Sequence, residues 1–328
     1  MADPLLSVRG LGVFFGEGRN ELQITRDIGF DIARGERVGL VGESGCGKTV
    51  TGLALTRLLP DRLCRIAGSA ILGDDDILAL PESRMRNVRG RRIGMIFQEP
   101  MSALDPVFTV GEQIIECIVA HFGVPKTEAR TRAIEVLRSV GIPLPEKRVD
   151  QYPHELSGGL RQRAMIAIAL AAEPEIIIAD EPTTALDVTI QAQILALLRD
   201  LSARTGTAMV FITHDLGVVA ECCDRVIVMY AGEIVEDAPV DALLEHPMHP
   251  YTSALLGSIP RHGKAHGRLT SIPGRVPAAA DMPGGCRFAP RCAHAIASCQ
   301  APQQLETIGD HRVRCCRASE LALAGAVA

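Results

Sequence analysis

The chain has 328 residues, 47% of them hydrophobic, and a net charge of −5. That is enough apolar material for one large domain with an appendage, and it excludes global disorder. Tryptophan is absent and aromatic residues make up only 3%, so the core must come from Leu, Ile, Val and Ala, as in an α/β protein with buried parallel strands.

No strongly basic block is present, which argues against a nucleic-acid partner. The longest apolar stretches, residues 164–172 and 176–179, fall far short of the roughly 18 to 20 residues that span a bilayer. Residues 1–10 lack the charged and apolar regions of a secretion signal. The expectation is a soluble, cytoplasmic chain whose membrane role, if any, is exercised by docking onto a separate membrane subunit.

In chain order, residues 5–98 alternate short strand-like runs with glycine turns. Val38-Gly39-Leu40-Val41 is an apolar run that ends in a glycine-rich loop, and residues 49–59 follow as a helix. Residues 110–168 read as mostly helical. Within them, 127–140 places Ala133, Val136, Leu137 and Val140 at helical spacing. Residues 175–235 return to α/β, with buried strands at 176–179, 209–212 and 226–229, a helix at 189–201, and Gly232 in a turn before Ile234-Val235. After about Pro239, Pro, His, Gly and Cys become frequent and helical signal survives only in pieces such as 252–256. This predicts a boundary there, between residues 1–238 and 239–328. No internal repeat is visible.

Three motifs carry chemistry. Gly42-Glu43-Ser44-Gly45-Cys46-Gly47-Lys48-Thr49 fits the phosphate-binding loop and lies between a strand and a helix, the context that loop requires. Its glycines let backbone N–H groups turn toward phosphates, Lys48 reaches the β- and γ-phosphates, and the Thr49 hydroxyl holds Mg²⁺. Ile176-Ile177-Ile178-Ala179-Asp180-Glu181 is an apolar strand ending in two acids. Asp180 suits Mg²⁺ and Glu181 suits a general base polarising the attacking water. Leu156-Ser157-Gly158-Gly159-Leu160-Arg161-Gln162-Arg163 opens a helix whose N-terminal donors suit an anion; taken alone it is equally a capped helix start.

In this order and spacing, the three resemble the motifs of the ABC ATPase family, and the likeness covers roughly residues 5–316. The family resemblance implies a P-loop NTPase fold with a RecA-like α/β core, an antiparallel β part and a helical subdomain at about 100–170, followed here by a small Cys-rich extension. It implies nucleotide contacts at Gly42, Ser44, Gly45, Cys46, Gly47, Lys48, Thr49 and Val50. Gln98 matches the Q-loop residue that senses Mg²⁺ and contacts the membrane subunit. Ser157, Gly158 and Gly159 match the signature donors to the γ-phosphate held by an opposite subunit. Thr184-Ala185-Leu186-Asp187 matches the loop at the dimer seam, with Asp187 its acid, and His214 matches the switch histidine. Phe15 matches the aromatic that stacks on adenine, with its neighbour Phe14 and a plain core role both left open. Leu160 stands where the family commonly has Gln, Met or Glu. Cys46 replaces a more frequent Ser, which predicts sensitivity to thiol reagents when nucleotide is absent.

Several stretches resemble the importers of dipeptides and oligopeptides. They are Tyr152-Pro153-His154-Glu155, residues 183–193, His249-Pro250-Tyr251-Thr252 with Leu255-Leu256, Ile259-Pro260-Arg261, and Gly285-Cys286-Arg287-Phe288-Ala289-Pro290-Arg291-Cys292. Five of the ten cysteines crowd into the tail, and Cys286, Cys292, Cys299 and Cys315 are spaced by six, seven and sixteen residues. Four thiolates suit a [4Fe-4S] cluster, to which the subfamily likeness also points. Zinc is the rival, Cys316 can replace Cys315, and ordinary buried thiols are the plain alternative.

The resemblance implies an ATPase that drives import with ATP and Mg²⁺. It also implies a second, paralogous ATPase subunit, two transmembrane permease subunits, an external substrate-binding protein acting indirectly, and a peripheral location on the cytoplasmic face of the inner membrane. Nickel, glutathione or another small solute remains open as cargo. A soluble ABC ATPase of DNA repair or translation is opposed by the single cassette without a coiled-coil insertion, and a non-catalytic module by Glu181 and His214.

Overall fold

A computed structural model describes residues 3–18, 21–184, 186–258 and 272–326. Ala185 and the Ile259-Pro260-Arg261 stretch lie outside the described residues. The chain divides into two compact units, the first from residues 1–5, 32–37 and 79–212, the second from 6–31, 38–78 and 213–328.

In the first unit three parallel strands, Ile93–Ile96, Ile176–Asp180 and Ala208–Thr213, lie side by side, with Ile93 opposite Ile176 and Ile176 opposite Ala208. Every residue of the latter two strands is buried. This explains their continuous apolar reading, since a parallel strand covered on both faces has no solvent side to alternate with. The helix Val110–Phe122 begins at a capping box: Glu112 N–H donates to Thr109 Oγ1 at 3.2 Å and Thr109 N–H to Glu112 Oε2 at 2.8 Å. It buries Val110, Ile114 and Ile118, and Lys126–Ser139 buries Ala129, Ala133 and Leu137, one stripe each at a spacing of four. Both pack against Gly158–Leu170. The helix Val188–Thr205 starts on Asp187, whose carboxylate accepts from Ile190 N–H at 3.0 Å.

In the second unit Arg37–Val41 runs parallel to Arg225–Tyr230, which pairs antiparallel with Glu233–Pro239. The tail then adds a hairpin: His311–Val313 pairs with Glu236 and Asp237, and Glu306–Ile308 forms the edge. A separate antiparallel sheet holds Leu22–Ile32, Leu6–Phe15, Cys64–Leu72 and Asp75–Asp76 in that order. Its first two strands are 11 and 10 residues long, longer than the short runs the sequence suggests, and in the second a bulge between Arg9 and Gly12 lets the strand bend without ending.

The helix after the glycine loop spans Lys48–Leu55, shorter than the expected 49–59. Arg57 takes φ 50°, and the N–H groups of Arg57 and Leu58 turn back to Ala54 and Leu53 at 3.0 and 2.9 Å, ahead of Pro60. That is a left-handed helix stop made without glycine. Among the described residues no helix is long and apolar enough to cross a membrane.

Candidate functional site

The phosphate-loop motif lies wholly in the second unit. The strand Arg37–Val41 delivers it and the helix Lys48–Leu55 leaves it. At Gly42 φ is 153°, and a β-carbon would lie 2.1 Å from the Met229 carbonyl oxygen, so no side chain fits there. Lys48 is 6% exposed; its Nζ donates to the carbonyls of Gly42 and Glu43 at 2.8 and 3.1 Å. The ammonium is thereby held across the mouth of the loop. Ser44, Gly45 and Thr49 are exposed and Val50 half-buried, at the N-terminus of the helix that leaves the loop. Cys46 is 1% exposed, 3.8 Å from Lys48 Nζ, and burial pushes its thiol pKa up. A neutral, covered thiol is a poor nucleophile, so the expected reagent sensitivity is corrected to slow reaction.

His214 is exposed just past the strand Ala208–Thr213, where Asp215 N–H bonds Thr213 Oγ1 at 3.0 Å and fixes the turn. The Phe14 ring carries the Arg65 guanidinium 3.9 Å from its centre. Phe15 follows as the last residue of its strand, half-buried.

The first unit holds the acids and the signature. Asp180 is 3% exposed at the strand end. Glu181 follows with φ 45°, an unusual value for a non-glycine residue that marks stored backbone strain. Its N–H donates to the Ile212 carbonyl at 2.8 Å, and its Oε2 accepts from Thr184 Oγ1 at 2.7 Å and from Gln98 Nε2 at 3.3 Å. Gln98 and Glu181 are thus brought together, 83 residues apart in sequence. The carboxylate is orientated by two side-chain donors, one of which, Thr184, sequence reasoning assigned only to the dimer seam.

Ser157 is the N-cap of the helix Gly158–Leu170, with no side-chain cap bond, and it and Gly158 are exposed. A β-carbon on Gly158 would meet nothing within 4 Å. Gln162 Nε2 donates to the Pro182 carbonyl at 2.6 Å, tying the signature helix to the segment after Glu181. Arg161 donates to the carbonyls of Pro153 and His154 at 2.8 and 3.2 Å, holding the preceding turn.

In the tail, Cys286, Cys292, Cys299 and Cys315 line one narrow pocket with His249, Phe288 and Arg317. Among the described residues, however, no group of three or more His, Cys, Asp or Glu side chains is arranged to hold a metal ion. The expected [4Fe-4S] cluster is therefore corrected, and the zinc alternative with it. Cys286 and Cys315 sit as half-buried thiols, pushed up to about 11 by desolvation. Cys286 and Cys292 pack against the cluster of Phe288, which is 3% exposed beside Tyr230 and Tyr251.

Residues 25–184 match the ABC transporter family model, and residues 235–299 match the C-terminal region of oligopeptide/dipeptide transporters. A probable peptide ABC transporter ATP-binding protein of Sinorhizobium fredii is 53% identical over 98% of this chain and 97% of its own. A Brucella melitensis biotype 1 protein carrying the name peptide import ATP-binding protein is 49% identical, with 97% and 98% covered. Among solved structures, the ATP-binding cassette MJ0796, a dimer bound to ADP and Pi, aligns at TM-score 0.63 and 28% identity, covering 72% of this chain and 98% of that one. The cbiO1 subunit of the Clostridium perfringens cbiONQ transporter complex aligns at TM-score 0.63 and 27% identity, covering 74% and 91%. The fold is that of P-loop NTPases of the ABC cassette class. The chain belongs to the ABC transporter ATP-binding family, in the branch that carries the oligopeptide/dipeptide transporter C-terminal region.

Proposed function

We propose that this chain is the ATP-hydrolysing subunit that powers uptake of di- or oligopeptides, with residues 1–238 as the nucleotide-binding domain and 239–328 as the extension. The observation that carries the reading is the Glu181 carboxylate, held by Thr184 and Gln98 at the end of a buried strand on a strained backbone. A general base must be orientated before it can take a proton from water, and two fixed donors do that. Peptide as cargo rests on the relatives' names and the C-terminal match.

In this reading Phe15 stacks on adenine, since the face of Phe14 already carries Arg65. Backbone donors from Ser44 to Thr49 cradle the phosphates and Lys48 turns from its carbonyls to the β- and γ-oxygens. Thr49 in the second unit and Asp180 and Gln98 in the first each offer an oxygen of the hard kind Mg²⁺ takes, and the bound ion would neutralise phosphate charge. Glu181 orientates the attacking water and His214 contacts the γ-phosphate.

The N-terminus of Gly158–Leu170 serves a nucleotide held by another subunit. Open space at Gly158 and the 82% exposure of Val188, next to Asp187, support such a seam. The partner is a second ATPase subunit, a paralogue. The exposed Phe97, Met101, Val107 and Phe108 flank Gln98 and suit docking to the two permease subunits on the cytoplasmic face of the inner membrane. An external binding protein delivers cargo to the permease.

The test is ATP turnover and peptide uptake by the assembled transporter carrying Glu181→Gln in this chain. Retained ATP binding with both activities lost supports the reading. Uptake at the unmodified rate would refute it.

A further inference from the structure

The extension reaches back to the phosphate loop. Arg291 is 5% exposed at its side chain and makes a two-pronged ion pair with Glu43, the second residue of that loop, at 2.7 and 3.1 Å. Arg291 is itself fixed by the Pro273 carbonyl at 2.8 Å and the Tyr230 hydroxyl at 3.3 Å. A second contact reaches the same residue: Glu43 N–H donates to the hydroxyl of Tyr251, a fully buried ring at the start of the helix Pro250–Gly257. The Glu43 carbonyl in turn accepts from Lys48 Nζ at 3.1 Å. Side chain, N–H and carbonyl of one residue are therefore all engaged, the first two by the extension and the third by the phosphate-binding lysine.

The electrostatic reason is direct. A carboxylate in the first turn of a loop that receives a polyanion repels its ligand unless a fixed cation answers it. Arg291 is that cation, and its planar fork sets the carboxylate's direction as well as its charge. Lys48, the group meant for the phosphates, rests on the same residue, so a displaced Glu43 also displaces the lysine.

We propose that Arg291 and Tyr251 are positioning residues for nucleotide binding. They clamp Glu43 so that its charge is neutralised and Lys48 is pre-set, which makes the C-terminal extension part of the ATP site. This rests on the ATPase reading above.

The test is the affinity of the full chain, with Mg²⁺, for a fluorescent ATP analogue at low and high salt, circular dichroism confirming the fold. Arg291→Met is expected to weaken binding about tenfold, the equivalent of about 1.4 kcal/mol. That loss shrinks at high salt. Adding Glu43→Gln to Arg291→Met removes the unanswered charge and restores affinity to within about threefold. Arg291→Lys keeps the charge and loses less than Arg291→Met. Tyr251→Phe removes only a hydroxyl from a packed ring and costs about threefold, independent of salt; it carries the test if Arg291→Met fails to fold.

Equal affinity of folded Arg291→Met, or of Tyr251→Phe, overturns the clamp, as does a loss that Glu43→Gln fails to restore. Absence of nucleotide binding by the unmodified chain would instead overturn the ATPase reading itself.

Discussion

Replacing Glu236 by Ala removes a carboxylate that is completely buried in the strand Glu233–Pro239. Its two oxygens accept from Met248 N–H at 2.7 Å, His249 N–H at 3.0 Å and His311 Nδ1 at 2.8 Å. These partners come from two separate parts of the extension, so one side chain joins the approach to the helix Pro250–Gly257 to the hairpin strand His311–Val313. Each donor left without a partner costs about 1–3 kcal/mol, and breaking a buried charged contact costs about 3–5 kcal/mol in total once some relaxation is allowed. Glu236→Ala should therefore destabilise the chain by about 4 kcal/mol, or about 6 °C in Tm. Glu236→Gln keeps one acceptor oxygen and should lose about half as much. Urea unfolding followed by circular dichroism measures both. A loss below about 1 kcal/mol for Glu236→Ala would mean that water or a rearranged neighbour satisfies all three donors, and the account of the joint would fail.

Three further outcomes are expected. Glu181→Gln should lower ATP turnover about 10²–10⁴-fold while leaving nucleotide affinity within a few-fold, measured by phosphate release and by analogue binding. Burial lowers the His249 pKa to about 4 from 6.5, with Glu236 opposing the shift. Below pH 6.5 the unfolded chain binds a proton that the folded chain refuses, so stability falls between about pH 6.5 and pH 4. His249→Asn keeps an acceptor for the Tyr251 N–H and does not titrate, so it should flatten that slope in unfolding curves taken across the range. Maleimide labelling read by mass spectrometry should modify exposed Cys316 well before buried Cys46; equal rates would show the phosphate loop opening far more often than its packing implies.

What the sequence made legible is what lies within a few residues of itself. The buried strands announce themselves by unbroken runs of Ile, Val and Ala. The phosphate loop, the signature helix start and the acid pair are contiguous strings whose chemistry depends on local backbone. Gln98 and Glu181 were each nominated singly; their contact needed the register of Ile93–Ile96 against Ile176–Asp180. The link from Arg291 to Glu43 spans 248 positions and has no periodic signal, although both residues lay inside quoted motifs. The cysteines show the reverse error. Four thiols in a short tail suggested ligands by count, but among the described residues they form no metal-holding group, and two of them, Cys286 and Cys292, pack against an aromatic cluster. The early helix stop at Leu55 was hidden because Arg57 adopts a backbone conformation that composition assigns to glycine.

The pairing of His311–Val313 with Glu236 and Asp237 has a consequence for biosynthesis. Glu233–Pro239 leaves the ribosome some seventy residues before the strand that covers its outer edge. Until then the backbone groups at Glu236 and Asp237 lack this partner and offer a template for any other extended chain. A product stopped short of residue 311, by a premature stop codon or by tail proteolysis, retains the phosphate loop, the acids and the signature, yet carries that open edge permanently. Such fragments should surface as inclusion bodies or degradation products when truncated chains are expressed.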